Sequence, residues 1–308
     1  VFTIRVLCGI IYSDHKKHIM IIVDYSGIAI ASIFSQDRPA EIEEGLIRHM
    51  ILNSLRRYNL KFRKDYGQMV IACDSSSWRK ETYPQYKAKR KTTRDESPLD
   101  WGHLFTLING VRDEIKENMH YPVVTVDRAE ADDIIAELVE STQEFGKCEP
   151  VMIVSSDKDF FQLQQYSNVK QFSPMKRDFI KVDDAAFYKF DHICRGDSSD
   201  GVPNVLSVDE SFTEGIRQKP MRAKKIQEWY TANGDSQLMD MMGQDTYRNY
   251  CRNKSVIDFD YIPEDIKTDI NNKYNQQTDK NKRGVLTYLI EKRCNMLIDS
   301  VADFFPTN

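Results

Sequence analysis

The chain has 308 residues, 41% hydrophobic and 29% charged, with a formal net charge of −4. This is the balance of a globular protein with one large domain or two medium ones; it excludes a disordered or fibrous chain, and the acidic excess excludes a protein that simply coats nucleic acid. Nothing approaches the roughly 18 unbroken apolar residues of a membrane span, and Arg5 interrupts the mildly apolar start, Val1 to Ile11, with no small-residue cleavage site after it, so neither a membrane anchor nor a signal peptide is expected.

In chain order, the apolar run Ile19 to Val23, ended by Asp24, predicts a buried parallel strand. A helix is predicted from about Glu41 to Tyr58, with Leu46, Ile47, Met50, Ile51 and Leu55 on one face. MVIACD gives a second strand ended by Asp74, and a helix follows from about Leu104 to Glu117. PVVTVD reads as a third strand, and EADDIIAELVEST opens a helix with Ile134, Ile135, Leu138 and Val139 at helical spacing. VMIVSSDKD is a fourth strand leading to Asp157 and Asp159, and NVKQFS a fifth. Alternating strand and helix predict an α/β fold with a mostly parallel central sheet flanked by helices up to about residue 185. Beyond it the pattern is helical and polar, and Asn271 to Arg283 reads as a loop or linker.

The six cysteines (Cys8, Cys73, Cys148, Cys194, Cys251, Cys294) are scattered with no CxxC pair, which favours free thiols in a reducing cytoplasm.

The chemistry lies in where the carboxylates fall. Three predicted strands end in acids: Asp24, Asp74, and the pair Asp157 and Asp159. In open α/β sheets, sites form outside the carboxyl ends of the strands. Glu130, Asp132 and Asp133 open a helix at the same edge, and Asp197 and Asp200 follow in CRGDSSDG. Singly, each acid has an ordinary reading as a turn former, a cap or a partner of the helix dipole. Together they would repel by about 1 to 4 kcal/mol per close pair, which points to divalent cations; oxygen donors without His or Cys suit Mg²⁺ or Mn²⁺. Charge is also segregated. Residues 79–94 hold seven Lys or Arg against one acid, Glu81, and are interleaved with Tyr83 and Tyr86 behind Trp78, aromatic rings able to stack on bases. A second basic stretch, Arg217 to Lys225, holds five bases and no acid.

The motifs VDYSG, CDSSSWRKETYPQYKAKR, EADDIIA, SSDKDFFQL and GDSSDGVPNV, in that order across residues 19–205, resemble the flap endonuclease family of 5′-nucleases, its phage members above all; IDFDYIP resembles it more weakly. The resemblance implies a PIN-like 5′-nuclease core over residues 1–186, with a basic helical arch at about 76–100. It implies a helical DNA-binding region over residues 187–308. By the same resemblance Asp24, Asp74, Glu130, Asp132 and Asp157 surround one metal, while Asp159 and Asp200, with Asp157 between, surround a second. Asp133 and Asp197 would act from outside or through water. Two Mg²⁺, with Mn²⁺ as a substitute, would drive in-line hydrolysis. Lys87, Arg90 and Arg94 would serve the reacting phosphate, Lys87 and Arg94 lying two turns apart on one face if the segment is helical. Arg79, Lys80, Tyr83, Tyr86 and Lys89 would contact nucleic acid.

One departure stands out: where the family carries a glycine-rich hairpin that grips duplex and a monovalent cation, this chain reads VLSVDESFTEG. The helix-hairpin-helix is thus modified, no potassium is expected, and Arg217, Lys219, Arg222, Lys224 and Lys225 would compensate. The implied function is a monomeric 5′-nuclease, acting on flapped DNA and RNA–DNA hybrid, that removes RNA primers in phage replication in the host cytoplasm. A sliding clamp and a single-stranded DNA-binding protein are further partners it would imply. At the chain end, Val301, Phe304 and Phe305 read either as a clamp-binding tail or as an anchor on the protein's own core. Two other readings remain: a PIN-type ribonuclease, and a non-catalytic Mg²⁺-binding DNA-interaction protein.

Overall fold

A computed structural model describes residues 20–34, 43–277 and 284–306. The readings of Val1 to Ile11, Ile19 and residues 278–283 lie outside them. Six strands form one sheet: β1 (Met20–Asp24), β2 (Gln68–Ala72), β3 (Val123–Val124), β4 (Val151–Val154), β5 (Val169–Ser173) and β6 (Asp178–Ile180). Their order is β3-β2-β1-β4-β5-β6; β1 to β5 are parallel, and β6 runs antiparallel to β5. The chain order reverses between β1 and β4, which makes their carboxyl ends the switch point where such sheets bind ligands.

The helices of the first half are α1 (Tyr25–Phe34), α2 (Glu44–Tyr66), α3 (Arg79–Thr82), α4 (Lys89–Asp95), α5 (Trp101–Asn118) and α6 (Ala131–Gln143). Those of the second are α7 (Ala185–Arg195), α8 (Ala223–Tyr230), α9 (Asp235–Met242), α10 (Gln244–Ile257), α11 (Glu264–Asn275), α12 (Val285–Glu291) and α13 (Asn295–Ile298). Strand alternation divides the core. Ile21 and Val23 join α1, α2, α5 and the C-terminal helices on one face, while Met20 and Ile22 join α6 and α11 on the other. Residues 186–257 build a third core around Trp229, Ile226 and Val205, into which Tyr83 and Tyr86 insert. The last helices, α11 to α13, also contribute side chains to the two sheet-layer cores. Among the described residues no helix is long and apolar enough to cross a membrane, and Cys73, Cys148, Cys194, Cys251 and Cys294 are free thiols.

Several elements differ from expectation for local reasons. α2 runs on to Tyr66 because Phe62 and Tyr66 extend its buried stripe, while Leu46 faces out at 45% exposure. β3 keeps only two residues of PVVTVD. Residues 271–275, expected as loop, finish α11, where Ile270 and Tyr274 are buried against α6's layer. At the chain end Phe304 is fully buried, and Tyr121 donates to its carbonyl at 2.6 Å. Phe305 stacks on His120 at 4.9 Å. The tail packs on its own core, so the clamp reading loses its aromatic anchor.

A charged network locks α2 to α5 and α12. Arg48 donates to Glu114 at 2.6 and 2.9 Å, and Tyr288 and Lys292 reach the same carboxylate. Burial alone would raise the Glu114 carboxyl, but the bonds from Arg48, Lys292 and Tyr288 outweigh it and hold it at about 2. Its folded pKa lies below the unfolded value, so the stabilisation is complete above about pH 4.5 and fades as pH falls towards 2. Glu114→Gln should lose about 3 kcal/mol at pH 7. In thermal melts the gap to wild type should shrink as pH falls below 4; a gap independent of pH would contradict it.

Candidate active site

The parallel strands deliver their acids to one edge. Asp24 ends β1, and its carboxylate accepts from Gly27 N at 2.9 Å and Ser155 Oγ, just past β4, at 3.1 Å. Asp74 follows β2 and accepts from Ala131 N at 2.9 Å, tying that strand to the start of α6. Glu130 precedes α6 and accepts from Ser77 Oγ at 2.7 Å, Tyr86 OH at 3.0 Å and Lys87 Nζ. Asp197 and Asp200 arrive on the turn after α7. Gly196 makes that turn possible: its φ is +68°, and a Cβ there would lie 2.3 Å from Val202 O. Asp200 meets Tyr86 OH at 2.8 Å and Arg90.

Asp24, Asp74, Glu130, Asp132, Asp157, Asp159, Asp197 and Asp200 thus line a single cavity of about 300 Å³, with Lys87 and Arg90 on its wall. The crowding shifts the acids' pKa values. Burial, then Asp74, pushes Asp24 up to about 6; burial, then Asp159, pushes Asp157 up to about 7. Burial drives Asp132 well above the carboxylate range despite Arg79 nearby. Glu130 goes the other way: burial raises it, but Lys87 and Arg79 outweigh that and hold it at about 2. Carboxylates this close, Glu130 and Asp200 buried and Asp24, Asp132, Asp159 and Asp197 half-buried, fit a cation site, since bound positive charge would favour every ionised form.

His192, which the sequence reading missed, stands among these acids. Its Nε2 lies 3.0 Å from Asp159 and 3.8 Å from Asp197, and the three could hold one ion between them. Asp159 is kept ionised by this contact: burial raises it, but the hydrogen bond and charge of His192 bring it below the usual value. The donor set is therefore oxygen plus one imidazole. A lone histidine five residues before Asp197 carried no spacing signal.

Other expected residues do not line this cavity, though the Asp133 carboxylate lies within 4.8 Å of those of Glu130 and Asp132. Asp133 is fully buried and bonds Trp78 Nε1 at 3.3 Å and Arg79 at 3.0 and 2.8 Å. Arg79, 1% exposed, also donates to Val256 O at 2.7 Å and Glu130 at 3.1 Å. It is an internal strut between α6 and α10, and no surface for nucleic acid. Asp133→Ala would leave that guanidinium without its main partner and should lose about 3–5 kcal/mol in urea unfolding; unchanged stability would contradict the strut.

Tyr83 and Tyr86 are also inside, each 2% exposed, because the third core takes their rings. Tyr83 OH donates to Asp209 O at 2.7 Å, and Tyr86 spans Glu130 and Asp200. Neither face is open to a base. The basic segment is not one continuous helix: Lys87 has φ +56° between α3 and α4, and its N–H donates to Asp200 O at 2.7 Å. Lys87 therefore points at the acids, while Arg94 lines a neighbouring cavity with Lys80. Lys89 is exposed, as are Arg217, Lys219, Arg222, Lys224 and Lys225 around the start of α8.

The replaced hairpin is held by side chains of α10. Asn253 donates to Ile193 O and Pro203 O at 2.8 and 2.9 Å, Asn249 to Val205 O and Ser207 O at 3.0 and 3.1 Å, and Arg252 to Pro203 O at 2.9 Å. Amide and guanidinium donors thus occupy carbonyls of α7, of Pro203 and of the loop's start at Val205 and Ser207.

Residues 5–190 match the family described as 5′-3′ exonuclease, N-terminal resolvase-like domain, and residues 185–304 that described as T4 RNase H, C terminal. The chain is 34% identical over 302 residues to the ribonuclease H of Enterobacteria phage T4, covering 94% of this chain and 97% of that one. Among solved structures it is similar to the T5 5′-exonuclease with zinc bound, at TM-score 0.58 and 17% identity over 84% of this chain and 99% of that one. It is also similar to the phage T5 flap endonuclease in complex with DNA and metal ions, at TM-score 0.58 and 16% identity over 85% and 99%. At those identities the structural likeness speaks for the fold.

Proposed function

The chain belongs to the 5′-3′ exonuclease family with a T4 RNase H-type C-terminal domain, and from that premise we propose that it removes RNA primers by 5′-to-3′ hydrolysis of RNA–DNA hybrid and by cutting flapped DNA. It is a 5′-nuclease, a phosphodiester hydrolase. The observation that carries the fuller reading is the cavity where eight carboxylates from the sheet edge, α6 and the Gly196 turn face Lys87 and Arg90. Asp24, Asp74, Glu130, Asp132 and Asp157 would hold one Mg²⁺ and Asp159 and Asp200 a second, with Asp157 between; Mn²⁺ fits the same donors, and His192 adds a nitrogen beside the second position. Ions there supply water activation and charge neutralisation.

The chain's own residues do the rest. Lys87, between Glu130 and Asp200, can turn from those carboxylates to a phosphate entering the cavity. Arg90, bonded to Asp200 from the rim, offsets charge developing on the same phosphate. Tyr86 fixes the spacing of Glu130 and Asp200, so that acids from two regions of the chain address one phosphodiester. The exposed cations from Arg217 to Lys225 would track duplex backbone. Products carry a 5′-phosphate and a 3′-hydroxyl.

The test compares a 5′ flap, an RNA-primed duplex and plain single-stranded RNA under Mg²⁺. Cleavage of the first two from the 5′ side with the third spared is expected. Equal cleavage of plain RNA would assign a PIN-type ribonuclease, and no cleavage at all a non-catalytic binding protein.

A further inference from the structure

The two ends of the acid row differ in what stands beside them. At one end Glu130 and Asp200 are already paired with Lys87 and Arg90. At the other, the group facing Asp159 and Asp197 is an imidazole, and among the described residues His192 is the only histidine within ligating reach of two carboxylates. Its place is fixed by packing. His192 sits in the last turn of α7, where Gly196 N–H donates to its carbonyl at 2.8 Å. The Tyr188 ring, one turn earlier, stacks on the imidazole at 5.8 Å and 23°, and Phe161, two residues after Asp159, packs on Tyr188 at 4.9 Å. Nε2 is thereby aimed at Asp159, 3.0 Å away, and at Asp197, 3.8 Å away. These side chains line a second cavity of about 620 Å³, which shares Asp24, Asp157, Asp159 and Asp197 with the acid cavity, so an ion from solvent has an open route to them.

A plain hydrogen bond between His192 and Asp159 accounts for only two of the three groups. Asp197 uses Oδ1 within its own turn, accepting from Ser199 N and Oγ at 2.7 and 2.6 Å, while Oδ2 faces Nε2 at 3.8 Å, beyond hydrogen-bond distance. Donors at neighbouring positions around a cation with bonds of about 2.1 Å stand about 3 Å apart. Asp159 and His192 have that spacing already, and Asp197 must close by less than about 1 Å to reach it. We infer that His192 is an inner ligand of the second cation through Nε2, beside Asp159 and Asp197, and that this nitrogen biases the position towards first-row transition cations such as Mn²⁺ over Mg²⁺. Mg²⁺ is a hard ion that gains little by exchanging water for imidazole, whereas a transition cation gains by it. The oxygen-only set at Asp24, Asp74, Glu130, Asp132 and Asp157 carries no such bias. The inference rests on the reading of this cavity as the metal centre of a 5′-nuclease, and it makes the two positions chemically unequal.

The test uses the full chain without nucleic acid and reads the ion directly. With Mn²⁺ bound, pulsed electron paramagnetic resonance should show the modulation of an imidazole nitrogen, and His192→Gln should remove it. Calorimetry on the same proteins should find the Mn²⁺ Kd of one site raised about ten-fold by His192→Gln, with the Mg²⁺ Kd moved by less than about two-fold. Glutamine keeps a side-chain N–H for Asp159, so the melting temperature in EDTA should match wild type. Wild-type Mn²⁺ spectra without nitrogen modulation would overturn the proposal, whatever the variant does. So would a modulation that survives His192→Gln, or equal weakening of Mn²⁺ and Mg²⁺, which would mean that His192 only holds Asp159 in place. Because neither measurement involves turnover, a chain that bound Mn²⁺ through this nitrogen but cut no nucleic acid would count against the nuclease reading and not against the ligand.

Discussion

Asp132→Asn should lower the single-turnover cleavage rate by at least about a thousand-fold, roughly 4 kcal/mol, while the protein stays folded. Asp132 sits in the first turn of α6, and its carboxyl lies well above the usual range because burial outweighs the attraction of Arg79. The fold therefore holds a carboxylate whose charge it does not fully compensate, which makes structural sense only with a cation beside it. Asparagine keeps the shape and one oxygen but removes that charge. It also relieves repulsion from Asp133 and Glu130, so the melting temperature should hold or rise slightly. Rate and melting temperature measured on one preparation check this, and near-native cleavage by a folded variant would remove Asp132 from the site.

Lys87→Ala should lower the same rate by about a hundred- to a thousand-fold, 2.7 to 4 kcal/mol, with a much smaller change in substrate affinity. Lys87 reaches the acids only because the chain turns at φ +56° and its N–H is fixed to Asp200 O. Its ammonium is paired with Glu130 and Asp200 in the free protein, so ground-state binding gains little from it. Its charge matters most when charge builds on the phosphate. Single-turnover rates at saturating protein, set beside anisotropy binding in Ca²⁺, separate the two effects. A loss confined to affinity would give Lys87 a holding role and no part in the chemistry.

Much of this was legible in the chain. Asp24, Asp74 and Asp157 follow runs whose strand character is plain and Glu130 opens a plain helix, and parallel strands send such residues to one edge. The MIIVD run is apolar on both faces, which marks it as central. What the sequence hid were side-chain directions set by tertiary packing. Asp132 and Asp133 are neighbours with the same chemistry, yet one faces the cavity and the other is sealed against Arg79. Tyr83, Tyr86 and Arg79 read as an arch surface because no local pattern tells that the third core and α10 close over them. His192 was invisible for the same reason: its partners come from the segment after β4 and from the turn after α7.

The central claim is that the acid cavity hydrolyses phosphodiesters through bound divalent cations, and product-end analysis tests it most directly. A 5′-labelled flap and an RNA-primed duplex are incubated with Mg²⁺, with Mn²⁺ and with EDTA, and the products are sized and their termini identified. The account predicts cleavage near the junction of the flap and short 5′ products from the primer, all bearing 3′-hydroxyl ends opposite 5′-phosphates, with activity abolished by EDTA and restored by added Mg²⁺. Cleavage that survives EDTA, or products ending in a 2′,3′-cyclic phosphate, would contradict it.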